Sequence, residues 1–402
     1  MDYKFSDRVL ALKPNLIREM LKKSSDPEVI ALSAGNPSPD AFPIDEISSI
    51  SDSLLNDRPV DVLQYGISEG YEPLRNTIKK YLKETHNNIT EDDELIIVSG
   101  AQQVMDLAAK TFVNEHETII CESPSFIGSI NTFRSYNANI VGVPLEEDGM
   151  NIELLEKALQ ENPNTKLIYV ITNFQNPSGC TTSFEKRKEI YRLAQKYDAM
   201  IIEDNPYGDL RYFGENIPDI KTLDTDGRVI YAGSFSKVIA PGIRVAYLLA
   251  NKEAMSKMLI CKQGQDVHTC LWSQMLCNEY MTKFDFEKHL EKTRNLYRRK
   301  ATLCMDLLDK YVVPNGITYN KIDGGLFIWC TLPENVDMPS FVKELLNRKV
   351  CVVSGKAFLT DPDLETQSFR INFSMPSDEA MTKAIKIIGE LAKETIGEKN
   401  EL

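Results

Sequence analysis

Val229-Ile230-Tyr231-Ala232 runs directly into Gly233-Ser234-Phe235-Ser236-Lys237. Four apolar residues with no polar alternation mark a short strand covered on both faces. Two hydroxyls and one lysine follow at its carboxyl end, where open α/β sheets bind their ligands. Outward from this stretch, similar runs recur at Glu94–Val98, Thr118–Cys121, Ile140–Val143, Leu167–Ile171 and Met200–Glu203 before it, and at Val245–Leu249 after it. Helix-period segments separate them: Ala101–Phe112, Ser125–Ser135, Ile152–Leu159 and Ser183–Lys196, the last with Ile190, Leu193 and Ala194 on one face. Short strands alternating with such helices predict an α/β fold with a doubly wound, mostly parallel sheet.

The remainder of the 402 residues divides around that sheet. A chain this long is expected to form two or three packed units. Turn chemistry at Ala34-Gly35-Asn36-Pro37-Ser38-Pro39 and Phe42-Pro43 makes residues 1–45 an N-terminal arm, expected to pack with the smaller domain. Helices are predicted near 44–54 and 71–84, opening a large domain over 46–280. Beyond it a long helix is predicted over Phe284–Tyr311, then strands at Leu326–Cys330, Val350–Val353 and Phe369–Phe373 and a closing helix near 378–396. Residues 281–402 therefore read as a smaller α+β domain.

Composition narrows the function. A net charge of -13 with no Lys/Arg-rich block argues against nucleic acid as a partner. The 8 cysteines and 4 histidines lie scattered, with no Cys-x-x-Cys pair, which predicts reduced thiols and no metal site. With no secretory leader and no run of about 20 apolar residues, the expected location is the cytoplasm, away from any membrane.

Strand ends carry the chemistry. A lysine desolvated at position 237 has a lowered pKa, which frees its amine to attack an aldehyde. Arg244, in Pro241-Gly242-Ile243-Arg244, returns a guanidinium to the same edge and with Ser234 and Ser236 suits a phosphate dianion. Ser99-Gly100-Ala101-Gln102-Gln103 opens a helix after a strand and aims N–H groups at that edge as well. Asp204, in Glu203-Asp204-Asn205-Pro206-Tyr207, is a carboxylate that demands a partner, and a protonated pyridine nitrogen is one. Asn176, after the Leu167–Ile171 strand, and Tyr207 are donors suited to a ring phenolate. Each element alone reads as ordinary turn chemistry. Five at successive strand ends suit different parts of one cofactor.

In this order the set resembles the fold-type I pyridoxal-phosphate aminotransferases of the class I/II group, from about Pro14 to the final helix. Pro14-Asn15-Leu16-Ile17-Arg18, Ala34-Gly35-Asn36-Pro37, Phe42-Pro43 and Gly100-Ala101-Gln102-Gln103 look most like the 2-aminoadipate and kynurenine aminotransferase branch. The resemblance implies pyridoxal 5'-phosphate held as a Schiff base by Lys237, which then moves the proton between Cα and cofactor. It implies Asp204 on the pyridine nitrogen, Asn176 and Tyr207 on the ring oxygen, and Phe126 stacked on the ring. Phosphate contacts would come from the Gly100-Ala101-Gln102 turn, Ser234, Ser236 and Arg244, with Tyr65 reaching over from a second subunit, so that a homodimer shares its sites. Ala101 stands where relatives often carry serine, and the lost hydroxyl predicts weaker cofactor retention.

For the substrate, the resemblance implies that Arg370 clamps the α-carboxylate, that Asn176 adds a hydrogen bond and that Gly35 leaves room for it. Arg18 falls near the substrate side chain, which suits a dicarboxylic donor such as 2-aminoadipate or glutamate and leaves an aromatic or neutral donor open. The implied activity is ping-pong transamination from an amino acid to a 2-oxo acid such as 2-oxoglutarate. A lyase or decarboxylase on the same scaffold is the alternative. A cofactor-binding regulatory domain is a further one, opposed by the lack of basic character and of an N-terminal helix-turn-helix.

Overall fold

A computed structural model describes residues 3–10, 12 and 26–397. Strand β1 (Ile30–Ala31) lies in the arm. The next eight strands form one sheet: β2 (Asp93–Val98), β3 (Thr118–Ser123), β4 (Asn139–Glu146), β5 (Gly149–Met150), β6 (Thr165–Val170), β7 (Met200–Asn205), β8 (Val229–Ser234) and β9 (Ala246–Asn251). Their spatial order is β2-β9-β8-β7-β6-β3-β4-β5. Leu95–Val98, Leu167–Val170 and Val229–Ala232 are buried throughout, as unbroken apolar runs must be between two layers of helices.

Strands β4, β3, β6, β7 and β8 pair in parallel. Strand β9 is antiparallel to β8 and β2 is antiparallel to β9. The reason is local. Only residues 235–245 join β8 to β9, with a single short 3-10 turn at Pro241–Ile243 and no crossover helix, so the chain returns alongside itself. Two reversals in succession give β2 the direction of the parallel set, and the ends of β2, β6, β7 and β8 meet the start of β9 at one edge. Strand β3 lies between β6 and β4 because the chain winds first to one side of it and then to the other, the switch point at which such sheets open a crevice.

A second, antiparallel sheet follows, formed by β10 (Thr318–Tyr319), β11 (Phe327–Thr331), β13 (Val353–Ser354) and β14 (Ser368–Asn372) in the order β10-β11-β14-β13. The helices Phe286–Tyr311 and Asp378–Gly397 pack on one another beside it. The expected single strand over Val350–Val353 is divided. Its first half, β12 (Val350–Cys351), pairs in parallel with β1 of the arm, whereas β13 joins the second sheet. Val352 between them is buried, so an apolar run served two sheets.

The helix Leu271–Lys283 was not legible in the sequence, because Gln274, Met275, Leu276, Cys277, Asn278 and Tyr280 are all buried and leave no single apolar stripe. Among the described residues, no helix is long and apolar enough to cross a membrane.

Candidate active site

The strand ends enclose a cavity of about 330 Å³. Gly35, Ala101, Gln102, Phe126, Asn176, Asp204, Tyr207, Ser234, Ser236, Lys237, Arg244 and Arg370 line it, all of them singled out in the sequence. Gly100 stands immediately before the Ala101 wall. Tyr65 is not part of the lining; it is 81% exposed on the same chain. Arg18, with Pro14 to Ile17, lies outside the described residues.

Lys237 sits in the turn after β8 and donates from Nζ to the Gly35 carbonyl at 2.8 Å. Burial, and then the positive charges of Arg370 and Arg244, bring its pKa down to about 8. An amine is thereby kept close to its reactive neutral form.

Asp204, at the end of β7, is held from behind. Tyr169 donates to Oδ2 at 2.8 Å, and Ser129 donates to the Tyr169 hydroxyl at 2.9 Å. Burial pushes the carboxyl up to about 7. The other oxygen, Oδ1, is buried and has no hydrogen-bond partner among the described residues.

At the amino end of the helix Gln102–Phe112, the Ser99, Gly100, Gln103 and Val104 N–H groups are bonded, while those of Ala101 and Gln102 have no acceptor among the described residues. The Gln102 side chain is turned to Gly128 and Thr132, so this residue offers its backbone. Arg244 adopts a left-handed conformation and donates from Nη2 to the Ser99 carbonyl at 3.3 Å. Gly100 makes that approach feasible: its φ is +86°, and a Cβ there would lie 1.9 Å from Arg244 Nη2. The Ser234 hydroxyl accepts from the Ser236 N–H at 3.1 Å, closing the other side of the cradle.

Arg370, in the middle of β14, crosses from the second sheet. It donates from Nη1 to Asn176 Oδ1 and from Nη2 to the Ser33 carbonyl, both at 2.7 Å. Its guanidinium lies over the Phe327 ring at 4.3 Å and the Phe358 ring at 4.9 Å. Burial lowers its pKa to about 10, and its Nε is buried without a partner among the described residues. The turn that carries Asn176 is fixed by Gln175, which donates to Glu122 at 3.1 Å and to the Pro124 carbonyl at 2.7 Å.

Sequence reading missed Tyr169, Ser129, Phe327 and Phe358. Tyr169 lies inside a strand and Ser129 inside a helix, where neither carries a turn signal. A tyrosine whose hydroxyl must find a buried partner was the available clue.

Pyridoxal 5'-phosphate fits these residues. Its protonated ring nitrogen would supply the donor that Asp204 Oδ1 lacks, and its phosphate would suit the free Ala101 and Gln102 N–H groups beside Arg244. Its aldehyde matches an amine of lowered pKa. In the same cavity, Arg370 Nε is a second buried group suited to an anion.

Comparison with known proteins agrees with that chemistry. The family model described as aminotransferase class I and II matches residues 27–388. Aromatic-amino-acid aminotransferase 1 of Thermococcus litoralis is 35% identical over 400 residues, covering 98% of this chain and 95% of that one. The 2-aminoadipate transaminase of Thermus thermophilus is 33% identical over 387 residues, covering 95% and 94%. Among solved structures, the Pyrococcus horikoshii kynurenine aminotransferase in complex with PMP superposes with a TM-score of 0.93 at 34% identity, over 97% of both chains. The chain belongs to the class I and II aminotransferases, enzymes that work with pyridoxal 5'-phosphate.

Proposed function

We propose that Lys237, Asp204 and Arg370 are the working centre of this aminotransferase. The reaction is a ping-pong exchange: an α-amino acid leaves as its 2-oxo acid before a second oxo acid, such as 2-oxoglutarate, is aminated. One observation carries the reading. A single cavity holds a half-buried amine with its pKa lowered to about 8 and a buried carboxylate with one unsatisfied oxygen.

Bound pyridoxal phosphate supplies an aldehyde and a protonated ring able to take up electrons from Cα. Lys237 Nζ would hold the cofactor's aldehyde carbon and would carry the proton that leaves Cα. Asp204, steadied by Tyr169 and Ser129, keeps the ring nitrogen protonated. Tyr207 and Asn176 donate to the ring oxygen, and Phe126 covers the ring face. Ala101, Gln102, Ser234, Ser236 and Arg244 hold the phosphate. Arg370 receives the substrate carboxylate, which supplies the acceptor missing at Nε, and the Phe327 and Phe358 rings fix the direction of approach. Gly35 borders the same space.

The site is completed by a second copy of the chain. Tyr65 lies in an exposed apolar stretch with Val60, Leu63 and Ile67, a surface suited to a homodimer in which Tyr65 of one copy reaches the phosphate of the other. The chain divides into an arm over 1–45, a cofactor-binding domain over 46–280 and a C-terminal domain over 281–402, and it works in the cytoplasm. Relatives acting on aromatic amino acids and on 2-aminoadipate make these two donor classes the first to try; an acidic donor would call on Arg18.

Borohydride reduction of the holoprotein followed by peptide mapping tests the centre. The label is expected on Lys237, and a label on another side chain removes the proposal. A panel of amino donors with 2-oxoglutarate then assigns the substrate.

A further inference from the structure

A larger cleft, of about 870 Å³, shares no lining residue with the cavity described above. Its lining comes from the Gly208–Asp219 segment, the helix Phe286–Tyr311 and the end of the helix Glu72–Thr85. Three arginines face it. Arg294 and Arg298 are one helical turn apart on the same face. Each spends its Nε on the same short segment: Arg294 on the Asp209 carbonyl at 2.7 Å, Arg298 on the Tyr212 carbonyl at 2.8 Å. Arg211 lies between those two carbonyls in the sequence. Three guanidinium groups are thus gathered about four consecutive residues.

Arg211 is the least satisfied of the three: its Nη1 donates to the Phe213 carbonyl at 3.3 Å, and its Nη2 is left over. Its side chain is 8% exposed, its guanidinium lies 4.8 Å from the centre of the Phe174 ring, and its Nη2 is buried with no hydrogen bond among the described residues. Asp323, 3.6 Å from Nη1, is more than half exposed and is a weak companion. The carboxylates that line the cleft, Asp209, Asp219 and Glu287, are engaged. Asp209 accepts from Tyr81 at 2.6 Å and faces His86 at 3.5 Å; Asp219 takes His86 and Asn88, each at 2.9 Å; Glu287 takes Arg294. Burial opposes a charge on His86, but these two aspartates prevail and raise its pKa to about 10, so the imidazolium and this carboxylate pair are spent on one another. Arg294 and Arg298 each keep one Nη2 without an acceptor among the described residues.

We propose that this cleft binds a small, multiply charged oxyanion, a polycarboxylate or an organic phosphate, whose oxygens supply the acceptors that Arg211, Arg294 and Arg298 lack. The cleft shares no lining residue with the cavity assigned to transamination, so its ligand is bound apart from the amino donor and the oxo acid.

Calorimetric titration of the holoenzyme with citrate and, separately, with pyrophosphate tests this at moderate ionic strength, the cofactor already filling its own phosphate cradle. One saturable site per chain is expected for at least one of the two. The tighter of them assigns the class. Arg211→Gln should weaken binding about tenfold or more, Asp323→Asn should tighten it, and Arg370→Ala should leave it unchanged. Absence of saturable binding at millimolar anion overturns the proposal, as does binding that survives Arg211→Gln or is lost with Arg370→Ala. Should Arg211→Gln not fold, Asp323→Asn decides alone, because an unchanged affinity there is also a refutation.

Discussion

Replacing Asp204 by Asn removes a charge and keeps the shape, since the amide oxygen can still accept from Tyr169. Burial raises this carboxyl from 3.8 to about 7. A displacement of about three units opposes the charged form by at most about 4 kcal/mol. The folded pKa lies above the unfolded one, so the cofactor-free folded state binds more protons between pH 3.8 and about 7. Its stability therefore falls as pH rises through that window and levels off above it. The Asp204→Asn protein has no such group.

Urea unfolding of both cofactor-free proteins at pH 5 and pH 8 measures the difference. The parent chain should lose up to about 3 kcal/mol over this interval that the variant keeps. With cofactor bound the order reverses, because a pyridinium stabilises a carboxylate and not an amide, and turnover of the variant should fall on the order of 100-fold or more. Parallel pH profiles for the two cofactor-free proteins, or undiminished turnover, would refute the reasoning.

Lys237→Ala should abolish both turnover and the yellow absorbance of the holoprotein, and a preserved rate contradicts its role. Arg370→Ala should raise KM for every donor on the order of 100-fold, from two charge-assisted bonds of about 1.5 kcal/mol each; steady-state kinetics showing a loss confined to one donor argue against a carboxylate clamp. The same change withdraws one of the two cations beside Lys237, so cofactor capture by the cofactor-free protein should shift to higher pH. Gly100→Ala places a Cβ 1.9 Å from Arg244 Nη2 at a φ of +86°. It should weaken cofactor binding about tenfold, for a cost of about 1–3 kcal/mol, whereas Gly35→Ala, whose Cβ would sit 3.7 Å from Phe327 Cζ, should retain the cofactor in equilibrium dialysis.

Strand ends were legible because turn chemistry and apolar runs are local signals. Lys237, Asp204, Asn176 and Arg244 each follow or precede a run that can be read within a dozen residues. What supports them is not local. Tyr169 and Ser129 are 40 residues apart, and Arg370 meets Asn176 across 194 positions. The direction of β9 was equally hidden, since an apolar run looks the same in either orientation and only the absent crossover helix distinguishes them. The cleft at Arg211 left no sequence signal at all, because its arginines come from separate elements and its defining feature is a donor without an acceptor.

Two reversals at the sheet margin also set an order of events. The Ala101 and Gln102 amides arrive on β2 and Arg244 on β9, so the anion cradle joins segments more than 140 positions apart and forms only when the early strand docks on the late one. During refolding, a molecule with β6 to β9 assembled would own the reactive amine yet hold its vitamin poorly. Recovery of tight retention should then trail recovery of secondary structure, making the bound chromophore an internal clock for closure of the margin.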